Sequence, residues 1–472
     1  MKIWPFNTRE KSGAEVVRRS AVLWDAAGGG NRLANWGATS TDFLNVNNSP
    51  LVRTRARDSF RNNPWTRRAV DCLAVGVVGA GITPQFRANN PEMKRLAQTE
   101  FEAWTDEADF SGRYDFYGFQ QAVQRAWAVD GECLVRFVLN PGQRVPLQLQ
   151  LLGAEYLDNS RIDQHTLNGI TYDDAGRRAA YWLFSKYPAA PAPTYVSVRV
   201  SADQVMHLHD AIQPGAERGV SWLSPALLPL KELQEYIEAA LVKAKVSSLY
   251  CGFVTTQDGS NPLNSDPNSV PTLEPGSMVR LKAGETVEWS NPVDPGVMFE
   301  PFVRAQLRAI ASALNLPYEL LSGDVSQVTF ASGRHSLLEF RRHLESLQHH
   351  LMVHQFCRVV LNQWARLAVA VGVLPGNAGD YGARWIAPLP EALDPKAEML
   401  AVVHRVRAGF MSRSEAVALT GLDAEELDAQ IATDNARADR LGLVLDSDPR
   451  KTTVQGQEQG TGGIQSEPTQ SN

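Results

Sequence analysis

Four cysteines in 472 residues, Cys72, Cys133, Cys251 and Cys357, share no CxxC spacing. A disulfide framework or a zinc site needs clustered spacing, so all four are read as reduced thiols acting as small hydrophobes. No run of about 18 apolar residues occurs, and no membrane-spanning helix is expected. The opening MKIWPFNTREKSGAEVVRRS has no apolar stretch behind its positive charges; a secretory signal is not expected and the chain reads as cytosolic. An excess of positive charge is also missing, with 46 Lys and Arg against 52 Asp and Glu and a net charge of −6. Proteins that grip duplex DNA carry a basic face, because phosphate contacts supply most of the affinity. A chain with this balance is expected to let DNA pass rather than hold it.

The usual catalytic signatures are absent too. No G-x-x-x-x-G-K-[ST] occurs anywhere in the sequence, so no P-loop cradles a nucleotide phosphate. VVGAGI (77–82) opens like a dinucleotide fingerprint, but Pro84 stands where the third glycine belongs and a helical pattern precedes it; a turn closing a helix is the better reading. Gly219-Val220-Ser221-Trp222-Leu223 lacks the closing glycine of a nucleophile elbow. His349, His350 and His354 lack the glutamate of H-E-x-x-H and are read as surface or interface residues. Asp106, Glu107, Asp109, Asp130 and Glu132 could pair for acid–base work, but acidic helix ends explain them equally well. Arg53, Arg55, Arg57, Arg61, Arg67 and Arg68 form a basic stretch opposed only by Asp58. Phosphate binding and a solvated or intersubunit ion-pairing face both remain open for it.

What is present is periodicity. Hydrophobic residues at 43% and charged residues at 21% are ordinary for a globular chain of two to four domains. A helix pattern begins at Pro50, with Phe60, Val70, Leu73 and Val77 on one face and a break at Asn63-Pro64. Further helices read across PEMKRLAQTEFEAWTDEA and FYGFQQAVQRAWAVDGE. Strands read at 133–139, 145–153, 179–184 and 194–201. From Ser224 a helix of about 25 residues carries Leu227, Leu230, Leu233, Ile237 and Leu241, with Pro229 near its start. A loop over 255–276 and a hairpin over 278–289, turning at Ala283-Gly284, follow. The next helix opens near Phe299 and stops before Pro317; a polar loop then leads to the longest helical pattern, Arg334 to Val371. Asp394, Ser412 or Ser414, and Asp423 cap three short helices beyond it. The residues alone thus give an α+β, mainly helical protein with no catalytic constellation.

Several segments resemble the lambda-type family of phage portal proteins. ARDSFRNNPWTRRAVDCLAVGVVGAGITPQ (56–85) is similar to its R-N-N-P…R-A-V-D…V-V-G-x-G-I pattern, and DGECLVRF (130–137) to its D-G-E segment. VMHLHDAIQPGAERGVSWLSPAL (205–227) resembles its H…R-P-G-Q-x-R-G-V-S-x-L-x-P stretch, with Gln213 and Ala216 as departures. Residues 307–339 resemble its L-R-x-I-A…P-Y-E-x-L-x-x-D…Y-S-S-x-R segment, with Thr329-Phe330-Ala331-Ser332-Gly333-Arg334 replacing the usual Asn-Tyr-Ser-Ser-x-Arg, and residues 393–423 resemble its D-P-x-K-E…G-x-x-S…G-x-D end. The pieces keep family order over about residues 50–440.

The resemblance implies a portal fold and a non-enzymatic role. Its parts are an N-terminal arm (1–50), an α/β wing (51–223), stem helices (224–250 and 299–317), and a clip insert with a β-hairpin (251–298). A tunnel loop (318–333), a long helix (334–372), a helical crown (373–445) and a disordered tail (446–472) follow. It implies a ring homo-oligomer, typically a dodecamer, at one capsid vertex of the virion, assembled in the bacterial cytoplasm, through which double-stranded DNA is packaged and ejected. Partners implied are the terminase large subunit, a head-completion or adaptor protein and the major capsid protein; no cofactor, metal or membrane is expected. Asp324, Val325, Ser326, Gln327, Val328 and Thr329 are the expected channel-lining residues, and Arg280, Lys282, Glu285, Glu288 and Trp289 the expected clip contacts. The rival readings are a helical scaffold or adaptor of phage assembly, and a metal-dependent nuclease.

Overall fold

The computed structural model describes residues 41–88, 90–186, 196–211, 213–248, 252–256, 285–289, 299–388, 394–418 and 424–445. The arm over 1–40, most of the clip, Cys251, Asp423 and the tail lie outside the described residues.

Helix α1 (Thr41–Asn62) and helix α2 (Pro64–Val78) are split by one residue. Asn63 is extended, its side chain accepts from the N–H groups of Trp65 and Thr66 at 3.0 and 3.1 Å, and Pro64 opens the new helix. The predicted break is therefore a cap. The predicted start at Pro50 is corrected: α1 already runs from Thr41 and contains Pro50. A proline removes one N–H, and a long helix can carry that single lost bond.

Gly79 ends α2 with φ 53 and an N–H to Val75 O at 2.8 Å, and strand β1 (Thr83–Arg87) follows. Helix, turn, strand is the reverse of the dinucleotide-binding order. Helices α3 (Pro91–Thr105) and α4 (Phe116–Asp130) are capped by Asn90 and Asp115. Their apolar faces meet in the main core, where Phe101 lies 5.1 Å from Trp364, 5.6 Å from Phe116 and 5.5 Å from Phe86, centroid to centroid.

Strands β2 (Glu132–Val138), β3 (Gln148–Gly153) and β8 (Val205–His209) form an antiparallel sheet in the order β3-β2-β8. A second sheet orders β4 (Thr166–Leu167), β5 (Ile170–Tyr172), β6 (Arg178–Phe184) and β7 (Ser197–Ser201) consecutively. Leu134, Leu152 and Val205 of the first pack with Ile170, Tyr181, Leu183 and Val200 of the second in a separate small core. The four predicted strands are β2, β3, β6 and β7; β1, β4, β5 and β8 are additional.

Helix α5 (Ser224–Ser248) has the predicted bounds and packs on α6 (Phe299–Ala313), with Tyr236 5.8 Å from Phe299 and 4.7 Å from Phe302. Between them β9 (Gly252–Thr256) pairs antiparallel with β10 (Glu285–Trp289). Of the predicted hairpin, the second strand is β10, which pairs with β9; its first strand and turn lie outside the described residues.

After α7 (Tyr318–Ser322) and a loop, α8 (Phe330–Leu347) continues through a π-helical stretch (Gln348–Cys357) into α9 (Arg358–Ala370). The predicted long helix is present but begins at Phe330 rather than Arg334. Thr329 and Ser332 form a reciprocal capping box that the glycine in TFASG conceals. At the start of the π stretch, buried Gln348 donates to the α2 carbonyls of Gly76 and Val77 at 3.3 and 3.1 Å. Strand β11 (Gly382–Ile386) returns to pair with β1, from Thr83↔Ile386 to Arg87↔Gly382. Helices α10 (Pro395–Arg407), α11 (Arg413–Ala418) and α12 (Ala424–Leu441) finish the described chain. The predicted caps Asp394 and Ser412 accept from Ala397 and Glu415 N–H at 3.0 and 3.1 Å.

Candidate functional site

Three segments that lie far apart in sequence meet at one buried point. Glu132 opens β2, behind the αL glycine Gly131 that ends α4. Its carboxylate accepts from Arg218 Nε at 2.8 and 3.0 Å, Arg218 Nη2 at 2.5 Å, Arg53 Nη1 at 2.9 Å, and the Gly219 N–H at 3.0 Å. His207 Nε2 on β8 completes the shell at 3.0 Å. A carboxylate only accepts, so this nitrogen carries the imidazole proton. One turn along α1, Arg57 pairs with Asp130 at 2.6 Å and Glu155 at 2.7 Å. D-G-E, R-G-V-S and the basic stretch of α1 are thus one cluster, joining α1, the three-stranded sheet and the loop that enters α5.

Burial raises the proton affinity of Glu132, but the Arg218 charge and the His207 hydrogen bond outweigh it and hold the carboxyl well below the usual range. His207 moves down to about 4: burial disfavours its cation more than Glu132 favours it. Burial raises Asp130, against the opposing pull of Arg57. With both carboxylates committed to guanidinium groups, the reading of Asp130 and Glu132 as mere acidic helix ends is corrected. The intersubunit reading of the basic stretch is corrected for Arg53 and Arg57, whose partners are in the same chain. Arg67 pairs locally with Asp71 at 3.1 Å. Arg55 and Arg61 are exposed.

The predicted loop lies elsewhere and is shorter than expected. Pro317 opens α7, Gly323 (φ 76) closes it, and α8 begins at Phe330, leaving residues 323–329 as loop. Asp324 shapes its start: Oδ1 accepts from the Ser326 N–H at 3.0 Å and Oδ2 from the Tyr318 hydroxyl at 3.2 Å. Hydrogen bonds from Ser326 hold that carboxyl below its ordinary value. Val328 N–H closes a turn on Val325 O at 3.2 Å. Val325 is 69% exposed, Ser326, Gln327 and Thr329 are exposed, and Val328 is half-buried. No lysine or arginine occurs from 321 to 333. Of the nearby cations, Arg68 lies beside Gly323 and donates from Nε to Leu320 O, Arg304 is ion-paired to Glu300, Arg308 lies 5.4 Å over the Tyr318 ring, and Arg334 is exposed one turn into α8.

Among the predicted clip residues, Glu285, Glu288 and Trp289 stand on β10, in register with Thr256, Phe253 and Gly252. Arg280 and Lys282 lie outside the described residues. His349, His350 and His354 are exposed. Among the described residues no group of three His, Cys, Asp or Glu is arranged to hold a metal, Cys72, Cys133 and Cys357 are free thiols, and no helix is long and apolar enough to cross a membrane. The structure adds Arg218, His207 and Gly131 to the residues of interest. The sequence signal for them is their position inside the two family-like motifs.

The chain is 26% identical over 436 residues to a probable portal protein of Halomonas phage phiHAP-1, covering 86% of this chain and 84% of that protein. It is 23% identical to the portal protein of Escherichia phage N15 (91% and 93% covered) and 21% identical to portal protein B of Escherichia phage lambda (88% and 90%). Among solved structures, the neck of a native gene transfer agent particle with C12 symmetry aligns with TM-score 0.48 and 16% identity over 80% of this chain and 94% of that one. An HK97 family phage portal protein from Corynebacterium diphtheriae aligns with TM-score 0.37 and 12% identity over 74% and 98%. Residues 29–348, which hold the Glu132 cluster and loop 323–329 alike, match the family described as phage portal protein, lambda family. The chain belongs to the lambda family of phage portal proteins.

Proposed function

We propose that the chain assembles into a closed ring, a dodecamer, at one capsid vertex of the virion and forms the channel for double-stranded DNA during packaging and ejection. Family membership over residues 29–348 carries this reading. The loop chemistry supports it. A channel must release each phosphate that it meets, and counterion release makes every lysine or arginine contact costly to break. Loop 323–329 offers hydroxyl, amide and apolar groups and one carboxylate instead, and we assign Asp324, Val325, Ser326, Gln327, Val328 and Thr329 to the channel wall.

Helices α5 and α6 form the stem in this reading. The insert 251–298, with Arg280, Lys282, Glu285, Glu288 and Trp289, docks the terminase large subunit and afterwards a head-completion protein. The outer body faces the major capsid protein. The chain acts without catalysis, and the ATPase work falls to the terminase, since the sequence has no P-loop. The nuclease reading is disfavoured because Glu132 already pairs with buried Arg53 and Arg218, and Asp130 with half-buried Arg57.

Negative-stain images of the purified full chain test the proposal. Closed rings of about 0.6 MDa with a central hole are expected from copies of 51.9 kDa; monomers or open assemblies overturn it. Deleting 324–330 should spare the rings and impair DNA packaging or retention, and normal packaging and retention in that variant would remove the loop from the channel wall.

A further inference from the structure

The long helix keeps one kind of side chain on its outer face. Arg342, His350, His354, Arg358 and Arg366 are all exposed and stand on one i, i+4 row, with Ser346 and Asn362 filling the gaps. On the opposite side Leu344, Leu351, Phe356 and Trp364 are buried. Residues four apart drift around an ordinary α-helix by about 40° at each step. The i→i+5 bonding of the Gln348–Cys357 stretch widens the turn and offsets that drift at the middle of the row. The row holds to the solvent side over roughly 35 Å.

A solvated helix face ordinarily alternates sign, so that i, i+4 pairs support the helix. This row carries three arginines and no carboxylate, in a chain of net charge −6. Its arginine and histidine side chains form no ion pair or hydrogen bond among the described residues. Carboxylates stand beside the row rather than on it: Glu345 on α8, Asp203, whose carbonyl accepts from Gln363 at 2.9 Å, and Asp210 near His343. Contacts between protein copies centre on apolar and aromatic side chains. Every member from Arg342 to Arg366 donates hydrogen bonds instead, and donors of this set meet phosphate oxygens.

We infer that this row binds the phosphate backbone of double-stranded DNA, at a place separate from the channel loop. Its length matches about one helical turn of duplex. Arg342 stands about 20 Å along α8 from Thr329, and exposed Leu338 and Glu339 interrupt the basic character between them. DNA as the partner rests on the proposed function; a second contact with it goes beyond that reading. Loop 323–329, without lysine or arginine, lets phosphates slide, and the row holds them.

Purified full-length rings and a relaxed, closed circular plasmid test this, because a closed circle cannot thread a closed ring. Wild-type rings should bind the plasmid, with affinity falling steeply between about 50 and 200 mM salt. Arg358→Gln with Arg366→Gln should weaken that binding about tenfold and reduce the slope of log affinity against log salt by about two. Arg55→Gln with Arg61→Gln, which removes the same charge from exposed sites on α1, should change neither. Wild-type rings that ignore the plasmid, or equal losses in the two double variants, overturn the contact. Loss of the rings themselves in the Arg358, Arg366 variant also overturns it, by setting the row against a neighbouring copy. A wild-type chain that forms no rings overturns the ring reading alone, since the same variants then read the row on the unassembled chain.

Discussion

Arg218 holds Glu132 with two nitrogens of its guanidinium, Nε at 2.8 Å and Nη2 at 2.5 Å, and both side chains are buried. The pair fastens the loop entering α5 to the first residue of β2. Removing one partner strands a charge in a dry site, the most expensive way to break such a cluster.

Glu132→Gln, which leaves Arg53 and Arg218 buried without a carboxylate, should therefore destabilise the chain by about 3–5 kcal/mol. Adding Arg218→Met to it should restore part of that loss, because one of the two stranded guanidinium groups is gone. Denaturant midpoints of the two single variants and the double measure the coupling, and strictly additive losses would show that the two side chains do not interact.

Acid should loosen the same joint. His207 sits at about 4 in the fold against an ordinary 6.5. Between those values the unfolded chain takes up a proton that the native chain refuses, so stability falls as pH drops from 6.5 towards 4, by at most about 1.4 kcal/mol per pH unit. Glu132, held down in the fold, adds further loss below its unfolded value, while Asp130, raised in the fold, partly opposes it. Thermal midpoints from pH 7.5 to 4.5 should slope downward. In His207→Gln the slope should be shallower, with His209, also lowered by burial, carrying a remainder. An identical slope in the variant would move the effect to another group.

Gly131 and Gly112 separate conformation from space. Both have positive φ, at 86 and 64. A Cβ on Gly131 would lie 2.1 Å from the Val220 carbonyl carbon, whereas one on Gly112 meets nothing within 4 Å. Gly112→Ala should cost about 1–2 kcal/mol for the left-handed backbone alone. Gly131→Ala should cost clearly more, since backbone must also shift; equal melting losses would deny the close approach.

Adding charge to the proposed channel wall should make it stick. Val325→Lys, at an exposed position of the loop, should leave rings intact and slow packaging. It should also steepen the salt dependence of DNA retention, by about one counterion for each phosphate that the new ammonium group meets. Unchanged packaging and salt dependence would mean that Val325 does not face DNA.

Legibility follows range. The Asn63-Pro64 break, the bounds of α5 and the Asp394 cap rest on residues a few positions apart, and periodicity and capping chemistry expose them. Arg53 looks like part of a solvated basic run because Glu132, its partner, is 79 positions away. VMHLH is not read as a strand because its register comes from β2, and nothing local announces the return of β11 to β1. Gln348, at the head of the π stretch, reaches carbonyls of α2, a contact made only in the fold. Loop 323–329 is visible by motif, yet its length is not, because Pro317 and the Thr329–Ser332 box let helix intrude from both sides.

The pairing of β1 with β11 also sets a schedule. Phe86 and Trp364, 5.9 Å apart, belong to the same core, and the strand that closes β1 arrives only at Gly382. While the chain is still on the ribosome, β1 has synthesised neighbours but no completed ladder, and its early helices hold apolar surface without a lid. Such late, long-range closure slows folding. It also delays assembly: a copy cannot present a finished body to its neighbours until nearly all of its core has been made, so half-made subunits are kept out of the ring by topology alone.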